Sequence, residues 1–133
     1  MDNKENGPSR RNVVKEKSFA FALRVVRLSR FLHEEKKEYV LSKQLLRSGT
    51  AVGALVREAE QAESKADFIH KLAIALKEAN ETDYWLQLLH QSGLIDAKGY
   101  QSIQPEITEL LKLLTSIIKT SKASGEWIRK KGQ

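Results

Sequence analysis

Apolar residues recur at alternating steps of four and three along the segment between residues 65 and 91. This spacing places them on one side of an α-helix, as in a heptad repeat. Ser64 and Asp67 have the spacing of an N-terminal capping box, and Gly93 follows at a position typical of a helix C-terminus. The segment therefore predicts one long amphipathic helix. Its apolar seam consists of Phe68, Leu72, Ala75, Ala79, Thr82, Leu86 and Leu89.

Three other segments show the same helical periodicity. The first predicted helix begins at Phe19, with Ser18 as its N-cap, and the second covers about residues 39–61. The fourth predicted helix begins near Asp96, which is a suitable capping residue. No segment shows the apolar alternation of a strand, so the chain is predicted to be all-α.

Pro105 allows two interpretations of the fourth helix: it lies in the first turn of a helix that begins near Gln104, or it kinks a longer helix. Because the connections are short, sequential helices are predicted to be antiparallel neighbours in an up-down-up-down four-helix bundle. We expect the bundle to occupy residues 17–122. A disordered N-terminal segment (1–16) precedes it, and a basic C-terminal tail (123–133) follows it.

The composition is typical of one helical domain. The 133 residues include only two prolines and seven glycines, and 41% of them are hydrophobic, which is enough for a buried core. The absence of cysteine excludes disulfide bonds and thiolate metal sites. No apolar stretch resembles a signal peptide or a transmembrane helix, so we expect a cytoplasmic protein without membrane contact.

Gly49 and Gly53 lie four residues apart on one face of the second predicted helix. Glycine inside a helix costs about 1 kcal/mol relative to alanine, so a pair of glycines requires a physical reason. We favour close packing, because small residues at this spacing allow another helix backbone to approach. The alternatives are a kink and a phosphate-binding loop, but the Walker spacing is absent.

No set of residues has a spacing typical of a catalytic or metal site. The three histidines, His33, His70 and His90, lie far apart, and neither HExxH nor ExxH occurs in the sequence. These absences argue against zinc and di-iron sites. A nucleophile motif and a glycine-rich phosphate loop are also missing. We therefore predict a protein that is not an enzyme and has no catalytic residue, cofactor, metal or small-molecule substrate.

Basic residues are the main functional candidates, because a net charge of +6 favours an anionic partner. Arg24, Arg27 and Arg30 recur every three residues on the first helix, and Lys43 lies on the second. These residues are suited to RNA phosphates, and the alternative is an ordinary solvated helix face. The tail has the same two interpretations, binding or solubilisation. Its candidate binding residues are Arg129, Lys130 and Lys131.

The first predicted helix carries a second apolar stripe beside its core stripe. Phe19, Leu23 and Val26 form this second stripe. An apolar surface of that width is typical of a helix that lies centrally or contacts a neighbouring subunit. We therefore expect the protein to form a homo-oligomer.

Three longer motifs connect the chain with a known family. They are LLRSGTAVGA at 45–54, DFIHKLAIALKEANETDYWL at 67–86 and LLTSIIK at 113–119. Together they resemble the signature of the bacterial four helix bundle protein family, whose members are also called 23S rRNA intervening-sequence proteins. The chain departs from the family pattern at Ala51 and Leu55, where serine and asparagine are usual.

The resemblance, which covers about residues 17–122, implies a four-helix bundle assembled as a ring-like homopentamer. It also implies a connection with RNA, no established enzymatic activity, and a similarity to accessory subunits of reverse transcriptases that bind nucleic acid. A buried polar network that sets the register of the helices is implied as well. Its members are Arg47, Glu58, Lys77, Glu78 and Glu81.

Two functions are consistent with these features. The first is an oligomeric bundle that binds RNA or a nucleoprotein complex through charge, with little sequence specificity, since no RNA-recognition motif with aromatic platforms is present. The second is an interaction scaffold, or an accessory subunit of a nucleoprotein enzyme, that makes no direct RNA contact. In the second function the positive charge is incidental.

Overall fold

The structure, a computed structural model, describes residues 9–124. Over this range the chain forms four α-helices and no strand. The all-α fold and the number of helices agree with the sequence prediction. The helices are α1 (Arg10–Glu34), α2 (Leu41–Ala59), α3 (Lys65–Gln91) and α4 (Ala97–Ala123).

Helix α1 begins earlier than the sequence indicates. Ser9, rather than Ser18, is its N-cap, and the Ser9 hydroxyl accepts a hydrogen bond from the Asn12 amide at 3.2 Å. The prediction of a disordered segment is therefore wrong for residues 10–16. Val14 gives the physical reason, because its buried side chain anchors these turns to the core while the charged residues around it lie at the surface.

Glu38 begins α2 from the preceding turn. Its carboxylate accepts hydrogen bonds from the amides of Val40, Leu41 and Ser42, at 3.2, 3.0 and 2.7 Å. Burial of the carboxyl group acts in the opposite direction, but these three amides together lower the pKa of Glu38. Lys37, with φ of 54°, lies in the left-handed region and reverses the chain just before this cap.

Helices α3 and α4 carry the caps that the sequence predicts. The Ser64 hydroxyl accepts a hydrogen bond from the Asp67 amide at 3.0 Å, and the Asp96 carboxylate accepts one from the Gly99 amide at 2.7 Å. Helix α4 continues through Pro105, so the longer of the two alternatives for this helix is the one observed. Pro105 is exposed, and a carbonyl that lacks an amide partner there is accessible to water.

The core lies between the four helices and consists mainly of aliphatic side chains. The predicted seam of α3 is buried along its whole length, including Thr82. The Thr82 and Ser48 hydroxyls lie 2.9 Å apart and link α3 to α2 by a buried hydrogen bond, which satisfies two polar groups that burial would otherwise penalise. The largest fully buried side chains are Phe21, Leu32, Leu45, Leu86, Leu89, Ile107, Leu110 and Leu114.

Side-chain contacts pair α1 with α4 in opposite chain order. Lys17 Nζ lies 3.3 Å from the Glu109 carboxylate, and Arg24 Nη1 lies 2.7 Å from that of Glu106. Arg10, at the start of α1, bonds Thr120 near the end of α4 at 3.2 Å. As residue numbers rise along α1, the numbers of their partners on α4 fall.

Helices α1 and α2 approach each other closely at the two glycines. A Cβ on Gly49 would lie 2.8 Å from both methyl carbons of Val25, and a Cβ on Gly53 would lie 3.3 Å from the Ser18 carbonyl oxygen. Helix α1 therefore occupies the space that a side chain would need. Both glycines belong to one continuous helix, and their contacts are the close packing that the spacing predicts.

Candidate nucleic-acid interface

Arg24 faces α4 rather than the solvent. Its Nη1 atom lies 2.7 Å from the Glu106 carboxylate and 3.1 Å from the Ser102 carbonyl oxygen, and Nη2 lies 2.9 Å from Ser102 Oγ. The guanidinium charge is thus matched inside the chain. Arg24 and Arg27 line one cleft with Ile95, Gly99 and Ile103, but only Arg24 of the two has a carboxylate partner among the described residues.

Arg27, Arg30 and Lys43 have the accessibility that phosphate binding needs. All three are exposed, and within residues 9–124 none of them forms an ion pair. The Ser29 hydroxyl donates a hydrogen bond to the Ser42 carbonyl oxygen at 3.1 Å. This contact brings the second half of α1 next to the start of α2, so the three basic residues share one end of that helix pair.

The basic residues predicted in the C-terminal tail, Arg129, Lys130 and Lys131, lie outside the described residues, and their role stays a prediction. A basic stretch of α4 leads up to this tail and was not among the predicted sites. Lys112, Lys119 and Lys122 are exposed there, and no acidic residue occurs between 110 and 124. That run of lysines without acids is the sequence signal that identifies the stretch.

Arg47 joins α2 to α3 through two carboxylates. Its guanidinium lies 3.2 Å from Glu78 Oε1 and also bonds Glu81, whose carboxylate accepts a further hydrogen bond from Trp85 Nε1 at 2.9 Å. The hydrogen bonds from Arg47 and Trp85 lower the pKa of Glu81, and the bond to Glu81 raises the pKa of Arg47. Each partner therefore stabilises the charged form of the other.

This network differs from the predicted one in its members and in its burial. The Arg47 side chain is 50% exposed, so the network lies at the surface of the α2–α3 contact, where long side chains reach solvent. Glu58 instead pairs with Lys71 at 3.6 Å. Lys77 is exposed and makes no ion pair with any described residue. The prediction of one buried five-residue network is therefore wrong.

An apolar groove runs along the outer side of the α1–α2 contact. Phe19 is 55% exposed and Leu23 43% exposed, although both belong to the second apolar stripe of α1. The Arg57 guanidinium lies 6.0 Å from the Phe19 ring centroid, within reach of a cation–π interaction. The groove has a volume of about 480 Å³, and its lining residues are Lys15, Phe19, Ala22, Thr50, Gly53, Ala54, Arg57 and Glu58.

A second exposed apolar surface lies on α3 and was not predicted. Tyr84 is 57% exposed and Leu88 36% exposed, and their four-residue spacing places them on one face of the helix. The Tyr84 ring also contacts the Trp85 ring edge to face, with centroids 5.1 Å apart. Exposed aromatic and leucine side chains of this kind are typical of protein contact surfaces.

Two of the three histidines make aromatic contacts. The His33 and Tyr39 ring centroids lie 4.7 Å apart, and the His90 ring stacks on Tyr100 at 4.4 Å. Within residues 9–124, no three histidine or acidic side chains come close enough to hold a metal ion. Over the same residues, no helix is both long and apolar enough to cross a membrane.

Residues 10–116 match a family model whose description is 23S rRNA-intervening sequence protein. The chain belongs to this family. The match includes the first two motifs that carry the resemblance in the sequence and the start of the third, and the family assignment made from them is confirmed. No curated protein matches the chain.

A solved structure supports the same assignment for the 23S rRNA-intervening sequence protein family. It is the 1.70 Å crystal structure of a protein with unknown function from the S23 ribosomal protein family of Bacteroides thetaiotaomicron VPI-5482. The two chains are 60% identical, with 84% of this chain and 99% of that chain covered, and their TM-score is 0.82. The four-helix fold is therefore shared with an experimentally determined relative.

Proposed function

We propose that this chain is a non-enzymatic, cytoplasmic bundle that binds RNA through charge as a homo-oligomer. The observation that carries the proposal is the set formed by Arg27, Arg30 and Lys43, whose charges are exposed and have no carboxylate partner within residues 9–124. The family description, which refers to 23S rRNA, and the net charge of +6 support RNA as the partner. Phosphates of any sequence fit such a surface.

We infer that the four helices alternate in direction as an up-down-up-down antiparallel bundle. The opposite chain order of the α1–α4 contacts supports this arrangement. The pair Arg47–Glu78 and the pair Lys71–Glu58 give the same opposite order for α2 and α3. Short connections between consecutive helices favour the same topology.

The bundle is further proposed to form a ring of five copies. A closed ring with cyclic symmetry requires two different surfaces on each copy, because the contact is head to tail. The groove beside Phe19 and Leu23 on one side, and Tyr84 with Leu88 on the other, supply two exposed apolar surfaces. A ring repeats each basic residue five times, which turns a modest charge into a multivalent one.

Light scattering tests the assembly. The wild-type protein is expected to have about five times the mass of the 15.1-kDa chain. Phe19→Asp/Leu23→Asp is expected to give the monomer mass, because burying two carboxylates without partners in an interface is costly. Val40→Asp is the matched control, since Val40 is 68% exposed but lies outside both surfaces. A monomeric wild type, or a control that dissociates equally, would contradict the ring.

Fluorescence anisotropy with a structured RNA, at about 50 and 200 mM salt, tests RNA binding. Wild-type affinity is expected to fall steeply with salt, and Arg27→Glu/Arg30→Glu is expected to abolish binding. Lys77→Glu/Lys98→Glu changes the net charge equally at two exposed lysines elsewhere and is expected to keep most of the affinity. No RNA binding by the wild type at 50 mM salt would contradict the proposal.

The alternative function is a protein-interaction scaffold or an accessory subunit of a nucleoprotein enzyme. The exposure of Tyr84 and Leu88 favours it, since these side chains suit a protein partner better than a phosphate. The two functions differ in the effect of Arg27→Glu/Arg30→Glu. In the alternative, this change leaves partner binding largely intact, and no RNA binding is found at low salt.

A further inference from the structure

The last half of α4 carries positive charge without any acidic neighbour in the sequence. From residue 110 to residue 124 there are three lysines, five hydroxyl side chains and no aspartate or glutamate. Lys112, Lys119 and Lys122 are all exposed, and within residues 9–124 none of them forms an ion pair.

The contrast with the rest of the α1–α4 contact is sharp. Arg24 is paired with Glu106, and Lys17 is paired with Glu109. Between Glu109 and the end of α4 no further acid occurs, and Lys112 follows Glu109 by three residues.

Between Lys112 and Lys119 the surface of α4 forms a shallow depression that carries ammonium and hydroxyl groups. A groove of about 460 Å³ is lined there by Leu111, Lys112, Thr115, Ser116, Lys119 and Thr120. Because the two lysines are seven residues apart, they lie on one side of α4 and about 10 Å from each other along the helix. The hydroxyls of Thr115 and Ser116 lie between them on the same surface.

Arg10 borders this groove from α1. Its guanidinium bonds the hydroxyls of Ser116 and Thr120, the latter at 3.2 Å, and it makes no ion pair with a described acid. Bonds to neutral hydroxyls hold the guanidinium in position, and no carboxylate of the described residues pairs with its charge. The groove thus combines two ammonium groups, a positioned guanidinium and several hydroxyls, which are the groups that contact nucleic-acid phosphates.

We propose that this groove, here called the α4 phosphate groove and defined by Lys112, Thr115, Ser116 and Lys119 with Arg10, binds the phosphate backbone of an RNA strand. The proposal rests on the proposed RNA-binding function and adds a second contact surface to it. Lys122 extends the surface to about 15 Å, which at about 3.4 Å per nucleotide step covers about four nucleotides. No aromatic side chain lines the groove, so it reads backbone and not bases.

The salt dependence of RNA affinity measures the number of phosphates that the groove contacts. Lys112→Gln/Lys119→Gln is compared with Lys77→Gln/Lys98→Gln, which removes the same charge from two exposed lysines outside the groove. Log–log plots of the association constant against salt concentration have a negative slope. Loss of two contacts to single-stranded RNA is expected to make this slope less steep by about 1.4. At 50 mM salt this corresponds to a loss of affinity on the order of 50-fold, and the control is expected to retain the wild-type slope.

Arg10→Gln provides a second variant that tests the border of the groove. It is expected to reduce the slope by about 0.7, the value for one phosphate contact. Circular dichroism at 222 nm checks that every variant keeps the helical content of the wild type, so a loss of binding cannot be attributed to unfolding.

The outcomes separate this inference from the function on which it rests. If the wild type binds RNA and Lys112→Gln/Lys119→Gln binds it with the same salt dependence, the proposal that RNA binds in the groove is wrong and the proposed RNA-binding function is unaffected. Equal losses in the groove variant and its control would mean that only net charge matters, which also overturns the groove. If the wild type does not bind RNA at all, both proposals are wrong.

Discussion

Helix α1 meets α2 and α4 in two different ways. Towards α2 the contact is made by small residues, and a Cβ at Gly49 would already lie 2.8 Å from Val25. Towards α4 the contact at the surface is made by long charged side chains such as Arg24 and Lys17. The first contact depends on shape, which has little tolerance because packed interiors have no spare volume.

The second contact tolerates more variation, because long side chains adjust and exposed ion pairs contribute little free energy. The difference bears on function. On the α1–α2 side, closely packed helices support the apolar groove beside Phe19. On the α1–α4 side, Arg10 bonds two hydroxyls of α4 and no acid of the described residues. One side of α1 thus packs through closely fitting small residues, and the other makes its surface contacts through charged side chains.

Gly49→Ala is the strongest test of the shape-dependent contact. Although alanine has the better helix propensity by about 1 kcal/mol, its Cβ would overlap both Val25 methyl groups. We expect the free energy of unfolding to fall by about 1–3 kcal/mol, as measured by urea denaturation. Gly53→Ala is expected to cost less, because its Cβ would lie 3.3 Å from the nearest atom.

The double variant Val25→Ala/Gly49→Ala checks that the clash is the cause. Removal of the Val25 methyl groups makes room for the new Cβ, so the two losses are expected to be less than additive by at least about 0.5 kcal/mol. A Gly49→Ala protein as stable as the wild type would mean that the two helices are not held at this distance.

Glu38 lies in the turn that connects α1 to α2, and its carboxylate accepts hydrogen bonds from three backbone amides at the start of α2. Glu38→Gln is expected to lower the free energy of unfolding by about 1 kcal/mol at pH 7, as for a lost helix cap. Because the pKa of Glu38 is lowered in the folded protein, its contribution is complete above the unfolded value of 4.5 and is lost as the pH falls through the folded value.

The difference between wild type and Glu38→Gln is therefore expected to close as the pH is lowered below about 4.5. Thermal denaturation at several pH values from 7 to 3 measures it. Glu16→Gln, at an exposed position of α1, is the control and is expected to show no such convergence. A difference that is as large at pH 3 as at pH 7 would assign the effect of Glu38 to something other than its charge.

The regions around Gly49 and Glu38 also differ in how well their structure could be predicted from the sequence. The bounds of α3 were predictable because its seam is regular and Ser64 caps it, and the packing role of Gly49 followed from its spacing. The start of α1 was not predictable, because one buried residue, Val14, among charged neighbours gives almost no periodic signal. Glu38 was missed because it caps α2 from outside the usual N-cap position, which Val40 occupies.

The candidate interface was predictable only as a set of residue types. Helical spacing grouped Arg24 with Arg27 and Arg30, but a shift of three residues also rotates a side chain by about 60° around the helix. That rotation is enough to turn Arg24 towards Glu106. Burial of the Arg47 network was mispredicted for a related reason, since sequence indicates which charges can pair but not how far long side chains reach into solvent.

The ion pair between Arg24 and Glu106 gives the smallest expected effect and completes the contrast. A double-mutant cycle with Arg24→Gln and Glu106→Gln is expected to give a coupling of about 0.2–1 kcal/mol at low salt, which vanishes near 1 M salt because the screening length falls to about 3 Å. The Lys17–Glu109 pair, with both side chains 48% exposed, is expected to couple more weakly.

The loss caused by Gly49→Ala is expected to stay the same across this range of salt, since it arises from overlap of atoms. A coupling between Arg24 and Glu106 above about 2 kcal/mol that resists salt would show that α1 meets α4 through a desolvated pair, and the two sides of α1 would then be alike.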